Sequence, residues 1–243
     1  MNEELSRLQQ EAEQGDADAK YNLGRIYDEG RGVPQSYAKA AEWWEKAAQQ
    51  GHADAQFCLS TMYANGQGVP QNDEIAFEWC QKAAIQGHSH AQNSLGFMYA
   101  DGQGVPQSYA KAFEWYQKAA HQNHVKAQYN LGTMHYKGEG IPQNYAKAFE
   151  WFQKAAHQDF APAQYDLGVM YANGQGVAQS YTKAFECFQK AAQQGDADAQ
   201  FTLGIMYGKG QGVPQNYDEA AKWIQGAAAQ GHERAKQAME AIS

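Results

Sequence analysis

The sequence Gly30-Arg31-Gly32-Val33-Pro34-Gln35 recurs along the chain at a constant interval and decides the fold. Its first glycine returns every 36 residues, at Gly66, Gly102, Gly138, Gly174 and Gly210. Both glycines and the glutamine are present in all six copies, while the valine becomes Ile141 once and the proline becomes Ala178 once. A fixed period of this length marks a protein built from repeated structural units. We predict six repeats, which cover residues 16–51, 52–87, 88–123, 124–159, 160–195 and 196–231.

Each repeat has the hydrophobic pattern of two helices. In the first helix of the first repeat, one face at helical spacing is formed by Ala19, Leu23, Ile26 and Tyr27. The second helix carries a similar face of small and aromatic residues, namely Ala40, Trp43, Trp44, Ala47 and Ala48. Because similar residue types return in the other repeats, we predict a helical hairpin in each of them.

The glycine pairs and the polar residues after them define where the helices end and begin. The first glycine of each pair favours the left-handed conformation that closes a helix. A serine or asparagine then stands where the second helix needs an N-cap, at Ser36, Asn72, Ser108, Asn144, Ser180 and Asn216. Within the first helix, Gly24 recurs in every repeat except the second, which has Ser60. A glycine inside a helix costs up to about 1 kcal/mol, so we expect a neighbouring helix backbone to cross closely there.

The two ends of the chain resemble single helices that cover the outermost repeats. Residues 1–15 have apolar positions at Leu5, Leu8 and Ala12, and residues 232–243 have them at Ala235, Met239 and Ile242. A repeat stack needs such terminal helices because its outermost units have a neighbour on one side only. We predict an all-α, α/α solenoid of six helix-turn-helix repeats with a helical cap at each end, as one stack rather than two domains.

The full repeat pattern resembles a known family. It reads A-x-x-x-L-G-x-x-Y-x-x-G-x-G-V-x-x-[SN], followed by A-x-x-W and K-A-A. Over residues 16–231 this pattern is similar to that of the Sel-one-like repeat (SLR) family, a relative of the tetratricopeptide repeat. The resemblance implies a right-handed superhelical solenoid that works as a protein-binding scaffold or adaptor. Such proteins are frequent in bacteria, both inside the cell and exported from it.

Composition and charge disfavour several classes of protein. The 243 residues carry a net charge of −8, whereas binding to nucleic acid needs clustered Lys and Arg for the phosphates. No apolar run is long enough to cross a bilayer, so we expect no membrane insertion. The first residues lack the basic and apolar segments of a secretory signal. This favours a cytoplasmic location, and a periplasmic or secreted protein stays open should a leader have been removed. We expect a monomer.

One motif with catalytic associations occurs three times. Ser-x-x-Lys, the nucleophile motif of penicillin-recognising enzymes, begins at Ser36, Ser108 and Ser180. The fourth repeat has Asn144 at this position, and an amide can cap a helix but cannot be acylated. No Ser-Asp-Asn or Lys-Thr-Gly sequence accompanies the motif. We predict helix caps, no catalytic residue and no cofactor. A hydrolase that acts on β-lactams or peptidoglycan is the alternative.

Four histidines share one position at the turn before a first helix, namely His52, His88, His124 and His232. Zinc ligands lie about 2 Å from the ion, whereas equivalent residues of stacked hairpins are about 10 Å apart. Phe160 and Asp196 occupy the same position in two other repeats, which favours a tolerant polar turn. We predict no metal site. An ion bound near His88 and His90, with His121 and His124 as further ligands, stays an alternative.

The three cysteines are predicted to differ in exposure. Cys80 stands where other repeats have a large apolar residue such as Trp44, and Cys187 stands where they have a tryptophan such as Trp43. We therefore expect both thiols to be buried, with either a void or local repacking at Cys187. Cys58 falls at a position that is otherwise polar, so we expect it to be more exposed and to react with thiol reagents. The paired cysteines of disulfide-containing SLR relatives recur in each unit, a pattern that this chain lacks.

The residues that differ most between repeats lie along the first helix. Positions equivalent to Asp18, Asn22, Arg25 and Glu29 form one line on its surface, which we call the first-helix stripe. Because packing would restrict these positions, we expect them to face solvent. The candidate partner contacts on and beside the stripe are Asn22, Arg25, Glu29, His90, Phe97, Asp101, Lys126, Asn130, Thr133, Tyr136, Lys137 and Asp166. In tetratricopeptide relatives the matching positions line a concave groove, where an asparagine at the Asn22 and Asn130 position often holds a peptide main chain.

The predicted function is a non-enzymatic scaffold or adaptor that binds a segment of a partner protein in the groove of the first helices. Exposed apolar groups such as Phe97 favour a functional groove, and a surface that drifts freely between repeats is the alternative. A secreted, effector-like protein that binds a host glycoprotein is a further alternative. The sequence leaves the identity of the partner open.

Overall fold

The computed structural model describes residues 3–240, which form fourteen α-helices and no strand. The helices are α1 (Glu3–Glu13), α2 (Ala17–Glu29), α3 (Tyr37–Gln49), α4 (Ala53–Asn65), α5 (Asp73–Ile85), α6 (Ser89–Asp101), α7 (Tyr109–His121), α8 (Val125–Lys137), α9 (Tyr145–Ala156), α10 (Ala161–Asn173), α11 (Tyr181–Gln193), α12 (Ala197–Lys209), α13 (Tyr217–Ala229) and α14 (Glu233–Glu240). None of these fourteen helices has the length and apolar character needed to span a bilayer.

The helices belong to two compact units. Residues 1–124 contain α1 to α7, and residues 125–243 contain α8 to α14. Within each unit every helix contacts the next one along the chain, and the two helices of each repeat form a hairpin. The predicted helical hairpins are therefore confirmed in both units. That a single stack runs unbroken from one unit to the next stays a prediction.

The helix ends are set by the residues that the sequence singled out. α2 ends at Gly30, which has a φ of 68° and donates its backbone N–H to the Ile26 carbonyl. At the start of α3, the Ser36 hydroxyl accepts the N–H of Lys39, and the Asn144 side chain accepts the equivalent N–H at the start of α9. The predicted glycine C-caps and Ser or Asn N-caps are confirmed. These local bonds fix the turns between helices, because they satisfy backbone groups that a helix end leaves without partners.

The recurring glycine of the first helix faces a large side chain of the second helix. A Cβ atom placed on Gly96 would lie 2.6 Å from the Tyr116 ring, and one on Gly132 would lie 2.5 Å from the Phe152 ring. The expected close crossing of a neighbouring backbone is therefore wrong. Glycine recurs because a large side chain of the facing helix, a ring in four repeats and Ile224 in the sixth, occupies the space where a side chain would start.

A line of glutamines, which the sequence analysis did not select, links successive hairpins. Gln92 on α6 is buried, and its amide donates to the Ala84 carbonyl at the end of α5 at 3.1 Å. Its amide oxygen accepts from Gln122, just after α7, at 2.8 Å. The equivalent 2.8 Å pairs are Gln86 with Gln56, Gln158 with Gln128, Gln194 with Gln164, and Gln230 with Gln200. Buried amides need such partners, and the recurrence of both glutamines was the signal for them.

The terminal helices differ in how much they bury. Leu5, Leu8 and Ala12 of α1 are buried in a cluster with residues of α2. α14 contacts α13 and buries Ala235, but Met239 is 38% exposed. The predicted C-terminal capping helix stays a prediction. Ile242 lies outside the described residues.

Candidate functional site

The structure places the twelve predicted contact residues in two groups. The first unit holds Asn22, Arg25 and Glu29 on α2, with His90, Phe97 and Asp101 on α6. The second unit holds Lys126, Asn130, Thr133, Tyr136 and Lys137 on α8, with Asp166 on α10.

Half of these residues are less exposed than the stripe pattern predicts. The exposed ones are Glu29, His90, Phe97, Asp101, Lys126 and Lys137. The half-buried ones are Asn22, Arg25, Asn130, Thr133, Tyr136 and Asp166. The expectation that the whole stripe faces solvent is therefore wrong. Its middle positions lie beside the inter-helix contacts, where neighbouring side chains cover them in part.

On α2, the charged stripe residues bind one another. A guanidinium nitrogen of Arg25 lies 3.3 Å from one Glu29 carboxylate oxygen, and Arg31 contacts the other oxygen at 2.6 Å. Exposed ion pairs of this kind are worth about 0–1 kcal/mol. Arg25 and Glu29 are therefore already paired on the surface of α2, and this pairing contributes little to stability.

On α6, the stripe combines an exposed ring with a histidine pair. Phe97 is 52% exposed, so its ring offers apolar surface to a partner. His90 Nδ1 lies 3.1 Å from His124 Nε2, and the two imidazole centroids are 4.7 Å apart. The ring of Phe57 lies beside this pair, 6.1 Å from His90. The pair holds His90 in place at one end of the α6 stripe.

In the second unit, four predicted contact residues line one pocket. The pocket has a volume of about 260 Å³ and lies between α8 and α10. Its walls are mostly apolar, with one carboxyl group and one ammonium group among them. The lining residues are Tyr129, Thr133, Tyr136, Lys137, Phe152, Asp166 and Val169. A largely apolar recess with a few placed polar groups is typical of a binding site.

Asp166 is joined to Tyr129 by a hydrogen bond inside this pocket, in which the Tyr129 hydroxyl donates to the carboxylate. Burial raises the pKa of Tyr129 to about 12, so the phenol stays protonated and remains a donor. Burial also raises the pKa of Asp166 above its usual value, and the bond from Tyr129 offsets part of that rise. Sequence reasoning missed Tyr129, because an aromatic residue recurs at its position (Tyr21, Phe57, Tyr165) and matches a core pattern.

Tyr136 gives the pocket a wall that the other repeats lack. Its position holds a smaller side chain in them, namely Asp28, Ala64, Ala100, Ala172 or Gly208. The Tyr136 hydroxyl donates to Gln175 Oε1 at 3.1 Å, and its ring centroid lies 5.2 Å from that of Tyr145. These contacts fix the ring, so the pocket is preformed.

A second recess adjoins the first in the same unit. It has a volume of about 220 Å³, and its walls include Tyr165, Phe188, Thr202 and Ile205. Val169 lines both recesses. The stripe of the second unit therefore presents two neighbouring apolar recesses, one on each side of this valine.

The whole repeat region matches one protein family. The Sel1 repeat matches six times, at residues 17–52, 53–88, 89–124, 125–160, 161–196 and 197–232. The chain belongs to the Sel1 repeat family. This confirms the predicted SLR resemblance.

Two solved structures show the same solenoid. A protective antigen of uropathogenic Escherichia coli strains, with an SLR fold, is 38% identical at a TM-score of 0.90 and is aligned over 94% of this chain and 49% of that one. A Sel1 repeat protein of Oxalobacter formigenes is also 38% identical, at a TM-score of 0.86, over 97% of this chain and 68% of that one. This chain thus spans about half the length of the Escherichia coli protein. No curated protein matches it. The predicted all-α solenoid is confirmed.

His52, His88 and His232 cap the helices that follow them and contact the preceding repeat. His88 Nδ1 accepts the N–H of Ala91 at 3.0 Å, and His88 Nε2 lies 3.1 Å from the Asp54 carboxylate on α4. Because Nδ1 accepts, the ring is neutral with its proton on Nε2. His52 and His232 make the same kind of contacts, with Asp18 and Asp198. Residues 3–240 contain no cluster of three or more side chains placed to bind a metal ion.

The serines of the Ser-x-x-Lys motifs act as helix caps in these Sel1 repeats. The hydroxyls of Ser36, Ser108 and Ser180 each accept the N–H of the motif lysine at 3.3–3.4 Å. Asn144 makes the same bond at 2.9 Å, so the position serves one purpose in all four repeats. The Sel1 repeat fold is typically a non-catalytic interaction scaffold.

The exposure of the cysteines in the Sel1 repeats differs from two of the three expectations. Cys80 is buried as predicted, but both Cys58 and Cys187 are half-buried. Burial raises the pKa of Cys58 and Cys80 to about 12 and that of Cys187 to about 11. Cys58 is covered because it packs against the core cluster around Leu59. Cys187 is partly open because its position lies at the edge of the core, where even the equivalent tryptophans are half-buried.

Proposed function

We propose that this Sel1 repeat protein is a non-catalytic scaffold that binds a segment of a partner protein along the first-helix stripe of residues 125–240. The pocket lined by Tyr136, Phe152, Asp166 and Val169 is the observation that carries the proposal. It contains four of the predicted contact residues, in a recess that Tyr136 makes specific to the fourth repeat. A helical repeat fold of this family is typically used for protein–protein interaction.

The pocket fits an apolar side chain of the partner. Phe152, Val169 and the Tyr136 ring offer apolar surface, and burial of such surface is worth about 25 cal/mol per Å². The neighbouring recess on the other side of Val169 would take a second apolar side chain of the same segment. Apolar side chains buried in two adjacent recesses are typical of an interface hot spot, where a few residues supply most of the binding energy.

Charged groups next to the pocket favour an acidic or polar flank on the partner. Lys126 and Lys137 are exposed on α8, while the Asp166 carboxylate is already bound by Tyr129. Lys137 lies 3.6 Å from the Glu139 carboxylate, and the Lys137 side chain is 57% exposed. The lysines would therefore steer an acidic segment toward the pocket. We propose that Asn130, half-buried on the same helix, contacts the main chain of that segment.

Site-specific photo-crosslinking in the source cell tests the proposal. A photoreactive phenylalanine replaces Thr133 at the pocket wall, and the same residue replaces Lys147 on α9 as a control. We expect a discrete crosslinked partner from position 133 and none from position 147. Val169→Asp places a charge between the two recesses and should abolish the crosslink at position 133 while the circular dichroism spectrum stays helical.

Two results would contradict the proposed site. One is a partner that crosslinks equally well from positions 133 and 147. The other is a crosslink at position 133 that persists in the Val169→Asp protein. Phe97→Ala in the first unit extends the test, since full retention of binding in that variant limits the contact to residues 125–240.

A second candidate is an exported protein that binds a host glycoprotein. The observation in its favour is the 38% identity to a protective antigen of uropathogenic Escherichia coli strains. Fractionation of the source cell distinguishes the two, because an exported binder is recovered outside the cytoplasm. The same pocket variants then report on glycoprotein binding to purified protein.

A further inference from the structure

A second cavity of about 260 Å³ lies away from the first-helix stripe, beside Cys187. It is enclosed by residues of α9, α10 and α11, among them Ala156, His157, Leu167, Lys183, Cys187 and Lys190. The proposed function does not use this cavity. Its origin is visible when the fifth repeat is compared with the others.

In the other five repeats a tryptophan stands where the fifth has Cys187. These residues are Trp43, Trp79, Trp115, Trp151 and Trp223. Trp43 packs on a cluster that contains Leu23 and Ala12, and Trp79 packs on one that contains Leu59 and Ala48. Cys187 packs on the equivalent cluster with Leu167, with Ala156 beside it. The cavity therefore lies where an indole ring lies in the equivalent repeats.

The residues beneath the missing ring are more exposed than their equivalents in other repeats. Leu167 is 7% exposed, whereas Leu23, Leu59, Leu95, Leu131 and Leu203 are 0–1% exposed. Ala156 is half-buried, whereas Ala48, Ala84, Ala120 and Ala192 are 1–3% exposed. The helices around Cys187 have thus not moved closer together to fill the space. The apolar surface that contacts a tryptophan ring in the other repeats is still present in the fifth.

The fifth repeat also keeps the lysine that contacts the tryptophan ring in other repeats. In four repeats the ammonium group of a lysine lies 3.8–4.3 Å from the centroid of the tryptophan ring three residues earlier. These lysines are Lys46, Lys82, Lys118 and Lys154. Lys190 is the equivalent residue of the fifth repeat and lines the cavity. A cation above an aromatic face is attracted to it by the ring quadrupole.

We propose that the cavity beside Cys187 binds an indole ring from outside the chain. The apolar floor of Leu167 and Ala156 and the cation of Lys190 supply what the other repeats use to hold their own tryptophan. Glu186, also in the wall, is an acceptor for the indole N–H. The ring could be that of a free indole compound or of a tryptophan side chain on a peptide, and these two sources share the same chemistry.

Titration of the wild-type protein with indole and with N-acetyl-L-tryptophanamide tests this proposal. We expect saturable NMR shifts of the Leu167 methyl and Ala156 methyl signals, with a Kd of about 1 mM, as befits a ligand of this size. Binding of both probes indicates a site open to a peptide side chain. Binding of indole alone indicates a site for free indole compounds only. Absence of saturable shifts with both probes overturns the proposal.

Two variants show whether the ring occupies the predicted place. Cys187→Trp should supply the missing ring, raise Tm and weaken indole binding at least tenfold. Lys190→Gln should weaken it about two- to fivefold through loss of the cation–π contact. Cys58→Ser, a thiol change outside the cavity, should leave it unchanged. Unaltered binding in Cys187→Trp overturns the proposal.

A measurement on the wild-type protein tests the proposal even if a variant does not fold. Indole at saturating concentration should slow alkylation of Cys187 by iodoacetamide at least threefold and leave that of Cys58 unchanged, as followed by mass spectrometry. Equal rates at Cys187 with and without indole contradict binding in the cavity.

Discussion

Ser60 and Cys80 face each other across the second hairpin, where other repeats pair a glycine with a large side chain. Ser60 places a Cβ atom and a hydroxyl on the face of the first helix, where the equivalent Gly24 and Gly96 have no side chain. Cys80 is 0% exposed and is the smallest residue at its position, so the added volume on one helix is matched by lost volume on the other. The thiol in turn donates to the Ala91 carbonyl at 3.3 Å.

This pairing predicts a strong dependence of one substitution on the other. Cys80→Tyr should destabilise the protein by about 1–3 kcal/mol, because the ring meets Ser60 in a filled core. Adding Ser60→Gly should recover most of that loss, with a coupling energy of about 1 kcal/mol or more. Denaturant unfolding of the two single variants and the double variant measures it. Additive effects would show that the two positions do not share one space.

The thiols should all react slowly in the native protein. At pH 8 a pKa of about 11 leaves roughly one Cys187 thiol in a thousand ionised, and a pKa of about 12 leaves roughly one in ten thousand at Cys58 and Cys80. We expect the rate order Cys187, then Cys58, then the fully buried Cys80. Timed alkylation followed by mass spectrometry measures the rates, with a denatured sample as the control. Native Cys58 that labels as fast as the denatured thiol would contradict this order.

Stability should fall with acid through the helix cap at His88. Burial lowers the pKa of His88 below its usual 6.5, against the opposing effect of Asp54. The folded state therefore favours the neutral ring, so this stabilisation is complete above pH 6.5 and is lost as the pH falls from there toward the folded pKa. The groups that face the imidazole are Asp54, His90 and the Phe57 ring.

His88→Asn isolates this contribution. Asparagine caps a helix without titrating near neutrality, and the equivalent position of the sixth repeat already has the carboxylate cap Asp196. Between pH 7.5 and pH 5 we expect the wild type to lose about 1 kcal/mol more than the variant in urea unfolding. An equal loss in both proteins would show that other groups set the acid sensitivity.

The buried carboxyl group of the pocket should weaken the fold at neutral pH. Burial raises the pKa of Asp166 above 3.8, so the folded state binds its proton more tightly than the unfolded state does. The charged form is therefore destabilising above the folded pKa, and this cost vanishes as the pH falls below the unfolded pKa. Asp166→Asn keeps an acceptor for Tyr129 and should stabilise the protein at pH 7 by about 1 kcal/mol.

The same substitution should have no effect on stability at pH 3, where the wild-type carboxyl group is protonated as well. Melting temperatures at pH 7 and pH 3 test both halves of the prediction. Asp101→Asn, at an exposed stripe position, is the matched control and should change Tm little at either pH. A fall in Tm of Asp166→Asn at pH 7 would show that the charge is stabilising and that its pKa is lowered by the fold.

Part of the candidate site could be predicted, and part could not. The variable stripe led to Thr133, Tyr136, Lys137 and Asp166, because positions freed from packing change between repeats. Tyr129 and Phe152 were missed, since an aromatic residue that recurs in most repeats is explained by the core alone. Their contribution to the pocket depends on which side chains face them from the next hairpin.

The sequence by itself determined the repeat, the hairpins and the helix ends. The caps at Ser36, Gly30 and their equivalents join groups a few residues apart, so local sequence fixes them whatever lies around. Only the tertiary structure decided which large side chain fills the space above each glycine. It also decided that Asp166 receives a hydrogen bond from Tyr129, and that Leu167, beside Cys187, is more exposed than the equivalent leucines. These outcomes depend on side-chain volume and distance between helices, which pack as a whole. The sequence shows only that a cysteine replaces a tryptophan at position 187. A cavity results because the surrounding hairpins keep their positions and do not fill the space of the indole ring.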